Sequence, residues 1–416
     1  MVYVISKSGK PLMPTNNHAK VRRMLKDGKA KCIKRTPFTI QLTYDSDENV
    51  QDITLGVDAG SKHIGLSATT CKAELFASEV VLRSDIKNNL ATRRMMRRDR
   101  RSRKTRYRES RFDNRRKSDN WLAPSIRAKI DTHLKVIDDV CKILPISEIV
   151  IETASFDIQK IKAEKDGKPL GDRRFGEQHG YWNTREYVLH RDNYTCRCCK
   201  GKSKDGILNV HHIESRKTGS DAPSNLVTLC KTCHKAYHAG NLELPSDIAK
   251  GRNYTDATFM GLMRRTCYER LKKMHPNVRM TYGYITKATR IKAGLEKSHI
   301  VDARCISGNP NVKPAEEVYI MRKLRRHNRQ IHKINYAKGG TRRTNQAPYE
   351  VYGFKLFDKV RYKGEECFIF GRRLTGYFNV RKADGTIVKT SAPYKKLSLI
   401  ESSTAFIIAK AVDMPI

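Results

Sequence analysis

The stretch Leu55-Gly56-Val57-Asp58-Ala59-Gly60 decides how this chain folds, because it joins an apolar run to a single carboxylate. A second run, Ile149-Val150-Ile151-Glu152, ends in the same way. Such runs predict buried β-strands that place their carboxylates at the edge of a sheet. A third piece, Lys297-Ser298-His299-Ile300-Val301-Asp302, is typical of a helix with His299 and Asp302 on one face. We therefore predict an α/β domain assembled from three distant pieces.

The three carboxylates of these pieces, Asp58, Glu152 and Asp302, are candidates for one shared site. Each of them alone is explained as well by a turn or a helix cap, since aspartate is common in turns after strands. Three in order are harder to explain in that way. Together they can hold two divalent metal ions for phosphodiester hydrolysis.

The overall charge of the chain indicates a polyanionic partner. Lysine and arginine number 83 against 43 acidic residues among 416, a formal charge of +40. Such a charge repels itself and favours nucleic acid, with RNA and DNA both possible. No apolar run approaches the roughly 20 residues that span a membrane, and the N-terminus is typical of a strand. Eleven cysteines, some tightly clustered, indicate a reducing compartment and a metal site. We expect a cytoplasmic protein.

Twelve arginines fall between Arg93 and Arg116, with no proline or glycine among them. The segment therefore predicts one long helix with arginine on every face. A basic run is usually a solvated face or a disordered tail, but this one has too little apolar surface to pack conventionally. We predict that its guanidinium groups contact nucleic-acid phosphates. The candidates are Arg93, Arg94, Arg97, Arg98, Arg100, Arg101, Arg103 and Arg106.

Two Cys-x-x-Cys pairs, Cys196/Cys199 and Cys230/Cys233, lie 30 residues apart. Four thiolates are a tetrahedral zinc ligand set. A small inserted domain has little core of its own, so a structural zinc is expected to stabilise it. The adjacent Cys198 is the alternative to Cys196.

A series of polar residues, His211, His212, Asn225, His234 and His238, accompanies the cysteines. The series resembles the HNH endonuclease motif, a β-hairpin and a helix around one divalent metal. The resemblance implies that His212 is the general base and that His211, His234 and His238 are metal ligands. It implies that Asn225 either orients the loop and base or reaches the metal. Many relatives have aspartate in place of His211, which leaves the preferred metal open. The alternative is a DNA-binding zinc ribbon with incidental histidines.

The three carboxylate pieces, with the HNH-like insert between the last two, resemble a split RuvC nuclease of the RNase H-like fold. In that family the positions of Asp58, Glu152 and Asp302 bind two Mg²⁺ ions, and the position of His299 assists near them. Nearly the whole chain resembles the IscB family of transposon-encoded, RNA-guided nucleases, thought ancestral to the large HNH-bearing CRISPR effectors. Pro11-Leu12-Met13-Pro14, for which we predict a fixed turn, resembles the motif that names the N-terminal module of that family.

The IscB resemblance implies a multidomain α/β organisation. The order is a β-rich PLMP-motif module 1–53, RuvC piece I 54–82, an arginine-rich bridge helix 83–118, RuvC piece II 119–160, a linker 161–184, an HNH domain of the ββα-metal type 185–240, a linker 241–262, RuvC piece III 263–312, a basic nucleic-acid-binding segment 313–345, and a C-terminal SH3-like β domain 346–416.

The same resemblance implies RNA-guided cleavage of double-stranded DNA. The partners would be a guide RNA (omega RNA) and a DNA target with a short adjacent motif, read by the C-terminal domain. The HNH site would cut the guide-paired strand and the RuvC site the displaced strand. We expect a monomeric protein in a ribonucleoprotein, with no membrane partner. The alternatives are a protein-guided HNH restriction or homing endonuclease and a non-cleaving nucleic-acid-binding protein.

Overall fold

A computed structural model describes residues 1–102, 122–153, 184–214, 223–245, 248, 266–325 and 348–411, without the side chains of residues 99–102. The chain divides into two compact units, one of Met1–Ala154 with Met260–Ile416 and one of Ser155–Phe259. Among the helices in the described ranges, none is both long and apolar enough to cross a membrane.

The first unit begins with a four-stranded sheet and one helix. The strands are β1 (Val2–Ile5), β2 (Pro11–Thr15), β3 (Ala30–Lys34) and β4 (Thr39–Leu42), in the order β2-β1-β4-β3, with helix α1 (His18–Lys26) between β2 and β3. The helix begins at Asn17, whose side chain accepts a hydrogen bond from Lys20 N at 2.9 Å. Its buried Val21 packs with Val2 and Ile40 of the sheet.

The turn predicted at Pro11-Leu12-Met13-Pro14 is wrong, because these residues form strand β2. Among the described residues, the strand lies at the edge of its sheet and pairs with β1 alone, antiparallel. An edge strand tolerates proline because one row of its N–H groups has no ladder partner to lose. Leu12 is buried in the small core, which accounts for the extended conformation.

The main sheet of the first unit has seven strands in the order β11-β8-β5-β6-β7-β12-β20. Strands β5, β6 and β7 are consecutive antiparallel neighbours, whereas β8 pairs parallel to β5 and to β11. The bounds are β5 (Thr54–Ala59), β6 (His63–Thr69), β7 (Glu74–Val81), β8 (Glu148–Glu152), β11 (Val278–Thr281), β12 (Val318–Lys323) and β20 (Phe406–Lys410).

Five further helices of this unit lie in the described ranges. They are α2 (Ile86–Ser102), α3 (Pro124–Cys141), α6 (Tyr268–Met274), α7 (Gly283–Lys292) and α8 (His299–Ile306). Ser298 caps α8 by accepting a hydrogen bond from Val301 N at 3.1 Å.

Two glycines let α8 lie directly on the sheet. A Cβ added to Gly56 of β5 would stand 1.9 Å from the carbonyl oxygen of Ala303, and one added to Gly65 of β6 would stand 1.9 Å from that of His299. Both distances are far below van der Waals contact, so no larger residue fits without moving the helix. The buried ion pair of Arg304 with Glu74, at 3.6 Å, also joins α8 to the sheet. The helix backbone is thereby held against β5 and β6.

The C-terminal part forms a five-stranded antiparallel sheet in the order β18-β17-β16-β15-β19, preceded by a short hairpin of β13 and β14. Its core includes the buried Val360, Ile369 and Phe378. The bounds are β13 (Glu350–Val351), β14 (Phe354–Lys355), β15 (Lys359–Tyr362), β16 (Glu365–Arg372), β17 (Tyr377–Arg381), β18 (Ile387–Pro393) and β19 (Leu397–Glu401).

Two predicted boundaries differ from the structure at the far edge of the main sheet. Strand β20 falls within the predicted C-terminal domain 346–416, yet it pairs antiparallel with β12 in the main sheet. Strand β12 in turn falls within the predicted basic segment 313–345 and pairs parallel with β7. The buried Tyr319 and Met321 of β12 explain this placement, because alternate apolar residues hold a strand in a core despite its basic neighbours.

The second unit contains a β-hairpin between two helices. Its elements are α4 (Thr184–Arg191), β9 (Leu208–His212), a 3-10 turn (Pro223–Asn225), β10 (Leu226–Cys230) and α5 (Lys231–His238). Arg191 joins α4 to the hairpin by donating to the carbonyl oxygens of Pro223 and Leu226 at 2.8 and 2.9 Å.

Candidate functional site

Parallel strands bring Asp58 and Glu152 to one end of the main sheet. The register between β5 and β8 pairs Val57 with Ile151, and each carboxylate is the next residue. The third carboxylate, Asp302, comes from the first turn of α8, which Gly56 and Gly65 hold against the sheet. The three predicted residues are therefore assembled from two strands and one helix.

The pKa values of Glu152 and Asp302 are raised. Burial raises the pKa of Glu152 first, and the charges of Asp58 and Asp302 raise it further, against a hydrogen bond from Thr286. Burial also raises the pKa of Asp302, as does the charge of Asp58. Carboxylates that are partly removed from water and repel one another favour a bound cation.

The donor set at this end of the sheet fits magnesium, which prefers carboxylate oxygens. In the part of the chain that the structure describes, the trio is not among the groups whose ligand atoms all lie within 4.8 Å of one another. Its oxygens are thus spread more widely than one ion needs. Two ions about 4 Å apart suit a wider arrangement.

His299 lies beside the first carboxylate, with Nδ1 2.6 Å from Asp58 Oδ2. This hydrogen bond is the main cause that raises the pKa of His299. Since an ionised carboxylate only accepts, Nδ1 carries the proton and donates it, and Nε2 is then the other ring nitrogen available to a ligand.

Four residues that contact the carboxylates or His299, directly or through a neighbour, are absent from the predicted site. Thr286 Oγ1 donates to Glu152 Oε2 at 2.5 Å. Arg290 Nε lies 2.8 Å from Asp302 Oδ1, an ion pair without hydrogen-bond geometry. Their i, i+4 spacing on α7 is a signal that the sequence carries. The other two are His63 and Glu79, whose place is visible only once the strands are paired.

The four cysteine sulfurs of the second unit lie within 4.8 Å of one another, and those of Cys199 and Cys230 are 3.8 Å apart. Tetrahedral zinc with bonds of about 2.3 Å requires sulfurs about 3.8 Å apart, so the set fits this metal. Hydrogen bonding from Ser203 lowers the pKa of Cys199 to about 6, which favours the thiolate. The group consists of Cys196, Cys199, Cys230 and Cys233 and does not include Cys198.

Three imidazoles of the same unit form a second group, with candidate ligand atoms within 4.8 Å of one another. His211 comes from β9, and its ring centroid lies 5.1 Å from those of both His234 and His238 on α5. Burial first, and then the neighbouring imidazoles, lower the pKa of His211 to about 4. Its Nε2 is buried without a hydrogen-bond partner among the described residues. A neutral, orphaned imidazole nitrogen is what a metal ion requires.

The two remaining HNH-motif residues are placed differently. His212 follows His211 on β9, and since successive strand residues face opposite ways, it stays outside the three-imidazole group. The buried Asn225 accepts from Glu214 N at 2.8 Å and donates to Glu214 O at 3.0 Å. Its amide therefore fastens the loop that follows the two histidines. Of the two predicted roles for Asn225, this geometry favours orientation.

The arginine helix begins at Ile86, inside the range 83–118 predicted for it. The side chains of Arg93, Arg94, Arg97 and Arg98 are exposed and form no ion pair with any residue in the described ranges. Four neighbouring guanidinium groups without such a partner favour binding of an anionic ligand. The side chains of Arg100, Arg101, Arg103 and Arg106, like the predicted helix beyond Ser102, lie outside the described residues.

Two protein families match parts of the chain. The family described as RRXRR protein matches residues 2–168, a range that contains the literal pattern Arg97-Arg98-Asp99-Arg100-Arg101. The family described as HNH endonuclease matches residues 196–240 and so covers both the cysteine and the histidine groups. No curated protein matches the chain.

Solved structures of Cas9 from Streptococcus thermophilus share limited similarity with this chain. In complexes with GGAA, AGGA and AGAA PAM they are 16%, 14% and 15% identical to it, with TM-scores of 0.34, 0.34 and 0.35. They cover 52%, 62% and 62% of this chain, which in turn spans only 30%, 32% and 32% of theirs. Scores below 0.5 do not establish a common fold.

The HNH match and the three-imidazole group coincide in the second unit. Residues 196–240 contain the paired cysteines, the hairpin with His211 and His212, and the helix with His234 and His238. The chain therefore carries an HNH endonuclease domain, and the activity that such a domain indicates is hydrolysis of nucleic acid.

Proposed function

We propose that this chain is an RNA-guided endonuclease that cuts both strands of DNA, each at a different site. The proposal rests on the presence in one chain of two groups of side chains that could each bind metal ions, with different donor atoms. One is the three-carboxylate group of the main sheet, and the other is the three-imidazole group of the HNH domain. The simplest explanation for two such sites is that each of them cuts one strand of the DNA.

In the HNH domain different residues would bind the metal ion, orient the loop and accept a proton. His211, His234 and His238 would hold one divalent ion, which when bound supplies Lewis-acid activation of a phosphate. His212 would accept the proton of the attacking water as general base. Asn225 forms two hydrogen bonds with the backbone of Glu214 and so fixes the loop that follows β9. Zinc on the four cysteines would stabilise this small unit.

In the main sheet Asp58, Glu152 and Asp302 would hold two Mg²⁺ ions, which when bound supply charge neutralisation at the phosphate. Thr286 orients Glu152 through its hydrogen bond. Arg290 offsets the charge of Asp302. His299 is anchored to Asp58 through Nδ1 and can offer Nε2 to the substrate. These roles make the site a candidate for the displaced strand.

Guidance by RNA is supported by the exposed arginines of α2 and by the net charge of +40. A helix with Arg93, Arg94, Arg97 and Arg98 exposed can bind phosphates along a duplex without reading its sequence. A base-paired guide would supply the sequence specificity that such contacts lack. The main-sheet unit would then be the RuvC-type core, and the five-stranded C-terminal sheet an SH3-like domain that contacts a short motif beside the target.

A cleavage assay with strand-specific labels tests the proposal. The protein is purified with RNA expressed from its own locus, the bound RNA is sequenced, and matching and mismatched plasmids are incubated with Mg²⁺. We expect cleavage of both strands of the matching plasmid only. Specific cleavage by protein stripped of RNA would instead indicate a protein-guided restriction or homing enzyme. RNA-dependent DNA binding without cleavage, at any divalent metal, would indicate a non-cleaving binding protein.

A further inference from the structure

Two side chains next to the carboxylate group have no part in the chemistry proposed above. His63 of β6 lies with Nδ1 2.6 Å from Oε1 of Glu79 on β7. The His63 ring stacks on that of His299, with centroids 5.3 Å apart and ring planes 5° from parallel. His299 in turn holds Asp58 at 2.6 Å. A continuous chain of contacts therefore runs from Glu79 through two imidazoles to the first carboxylate.

Strand register explains why these residues meet. Gly65 is paired with Asp58 on one side and with Glu79 on the other, so all three positions face the same way. His63 precedes Gly65 by two residues and shares that face. Since Gly65 has no side chain, the first turn of α8 fits above it. His299 is thus placed between Asp58 and the pair of His63 with Glu79.

The two contacts of His299 restrain different motions of its ring. The hydrogen bond to Asp58 fixes one atom, Nδ1, but the χ2 torsion of histidine has a broad minimum and allows the ring to turn. The stacked His63 ring fixes the plane. His63 is itself held because a carboxylate can only accept, so Nδ1 of His63 donates to Glu79.

We propose that His63, held by Glu79, is a positioning residue that sets the ring plane of His299 beside the catalytic carboxylates. The inference rests on the proposed function of the carboxylate group as the site that cuts the displaced strand. Stacking directs Nε2 of His299 in one direction, so that it meets a phosphate or water in the same geometry at every turnover. A displacement of about 1 Å at such a site costs on the order of 100-fold in rate.

A metal ion is the alternative occupant, since ligand atoms of His63, Glu79 and His299 all lie within 4.8 Å. The geometry favours positioning instead. Imidazole lone pairs lie in the ring plane, and the two rings are nearly parallel, so their nitrogens do not converge on one point. Each Nδ1 is also engaged by a carboxylate. To bind one ion, the rings would have to turn out of the stack.

A double-mutant cycle on the RNA-loaded, full-length protein tests the inference. Single-turnover cleavage of the displaced strand is measured for wild type, His63→Ala, His299→Ala and the double variant, with cleavage of the guide-paired strand as internal reference. We expect His63→Ala to slow the displaced-strand cut about 10- to 100-fold and the guide-paired cut not at all. In the His299→Ala background, loss of His63 should have no further effect, because it acts through His299.

Matched variants separate positioning from general damage to the sheet. His63→Phe keeps a stacked ring without the Glu79 hydrogen bond and should recover most of the rate. Glu79→Gln keeps an acceptor and should cost less than Glu79→Ala. Lys72→Ala, an exposed change at the far turn of the same hairpin, should leave both cuts unchanged.

The other possible results distinguish the positioning role from the proposed function and from a metal site. Unchanged displaced-strand cutting in His63→Ala, or losses that add fully in the double variant, would overturn the inference alone. A wild-type protein that never cuts the displaced strand would overturn the proposed function and the inference with it. If elemental analysis finds an ion in wild type that His63→Ala lacks, the three residues are a metal site and positioning is wrong.

Discussion

The carboxylate site and the histidine site of this chain differ in donor atoms and in the way they are assembled. The first collects oxygens from residue 58, residue 152 and residue 302, on two strands and a helix of the large unit. The second collects imidazoles from residue 211 to residue 238, on one hairpin and the next helix. Oxygen donors favour magnesium, whereas imidazoles suit transition metals.

The two sites are therefore sensitive to different changes in the protein. The carboxylate site depends on helix docking and strand pairing between segments far apart in the sequence. A change far from its oxygens can therefore move the three carboxylates apart. The histidine site depends on one small unit whose core includes three of the four cysteines, so loss of zinc should disperse it. Variants that perturb one site can therefore be judged against the strand cut that belongs to the other site.

The largest expected effect is a reciprocal loss of one strand cut. Asp58→Ala removes a proposed shared metal ligand and should abolish cutting of the displaced strand only. His212→Ala removes the proposed general base and should slow cutting of the other strand by about 10²–10⁴-fold. A plasmid labelled separately on each strand distinguishes the two nicked products. Linear product formed at the wild-type rate by either variant would contradict that residue's assignment.

Loss of zinc should silence the histidine site and spare the carboxylate site. Cys230→Ser removes one sulfur of the four-cysteine group, so the zinc content should fall from about one ion per chain and the guide-paired cut should fall with it. Cys198→Ser is the matched control, because Cys198 lies outside the group. Elemental analysis measures the metal. Equal zinc loss in both variants would show that the ligand set is different.

A single methyl group should damage the carboxylate site through its docked helix. The Cβ of Gly65→Ala would stand 1.9 Å from the carbonyl oxygen of His299, so α8 must move and carry His299 and Asp302 with it. We expect a loss on the order of 100-fold in displaced-strand cutting. Gly206→Ala, where a Cβ meets nothing within 4 Å, is the control in the second unit. The idea fails if both variants cut the displaced strand equally.

Acid should destabilise the large unit through a buried histidine. Burial lowers the pKa of His133 on α3 from 6.5 to about 4, while its Nδ1 donates to Lys129 O at 2.8 Å. Since the folded pKa lies below the unfolded one, the unfolded state binds more protons between these values, and stability falls as the pH falls from 6.5 towards 4. The full loss is about 3 kcal/mol.

Denaturant unfolding of wild type and His133→Gln at pH 7 and pH 4.5 measures this effect. The amide of glutamine can donate to Lys129 O but does not titrate in this range. The variant should therefore lose less stability on acidification than wild type. Equal losses in the two proteins would assign the acid sensitivity to other groups.

The smallest expected effect belongs to the exposed arginines, which neither candidate metal site contains. Replacing Arg97 and Arg98 by alanine should weaken RNA binding and lower the slope of log affinity against log salt by about 0.7–0.9 per lost phosphate contact. Both strand cuts should then fall together, unlike the reciprocal losses above. Arg22 and Arg23, an exposed adjacent pair on α1, form the matched control. Equal slopes for both pairs would rule out a specific role for α2.

The histidine site could be predicted almost entirely from the sequence, because its information is local. The spacing of Cys196 with Cys199 and of Cys230 with Cys233 already implies four converging sulfurs. The i, i+4 spacing of His234 and His238 places both on one helical face. What local spacing left open was the role of Asn225, since that depends on which backbone atoms its amide reaches.

The residues that make up the carboxylate site could be predicted from the sequence, but the residues that surround them could not. Apolar runs that end at Asp58 and Glu152 indicate buried strands, yet they do not say that the strands are parallel neighbours. His63 and Glu79 gave no signal of their own, because they approach His299 only through the pairing of three strands and the docking of α8 on Gly65. The i, i+4 spacing of Thr286 and Arg290 can be read from the sequence, but their partners Glu152 and Asp302 cannot.

The candidate donor atoms, the two Cys-x-x-Cys pairs, the arginine-rich helix and the apolar faces could all be predicted from the amino-acid sequence, because each depends only on residue type and short spacing. The tertiary structure alone decided that Pro11-Leu12-Met13-Pro14 is an edge strand and that β20 returns to the main sheet beside β12. The physical reason is that apolar periodicity encodes which face of an element is buried. It does not encode the partner, which is selected by packing and backbone pairing between segments far apart in the chain.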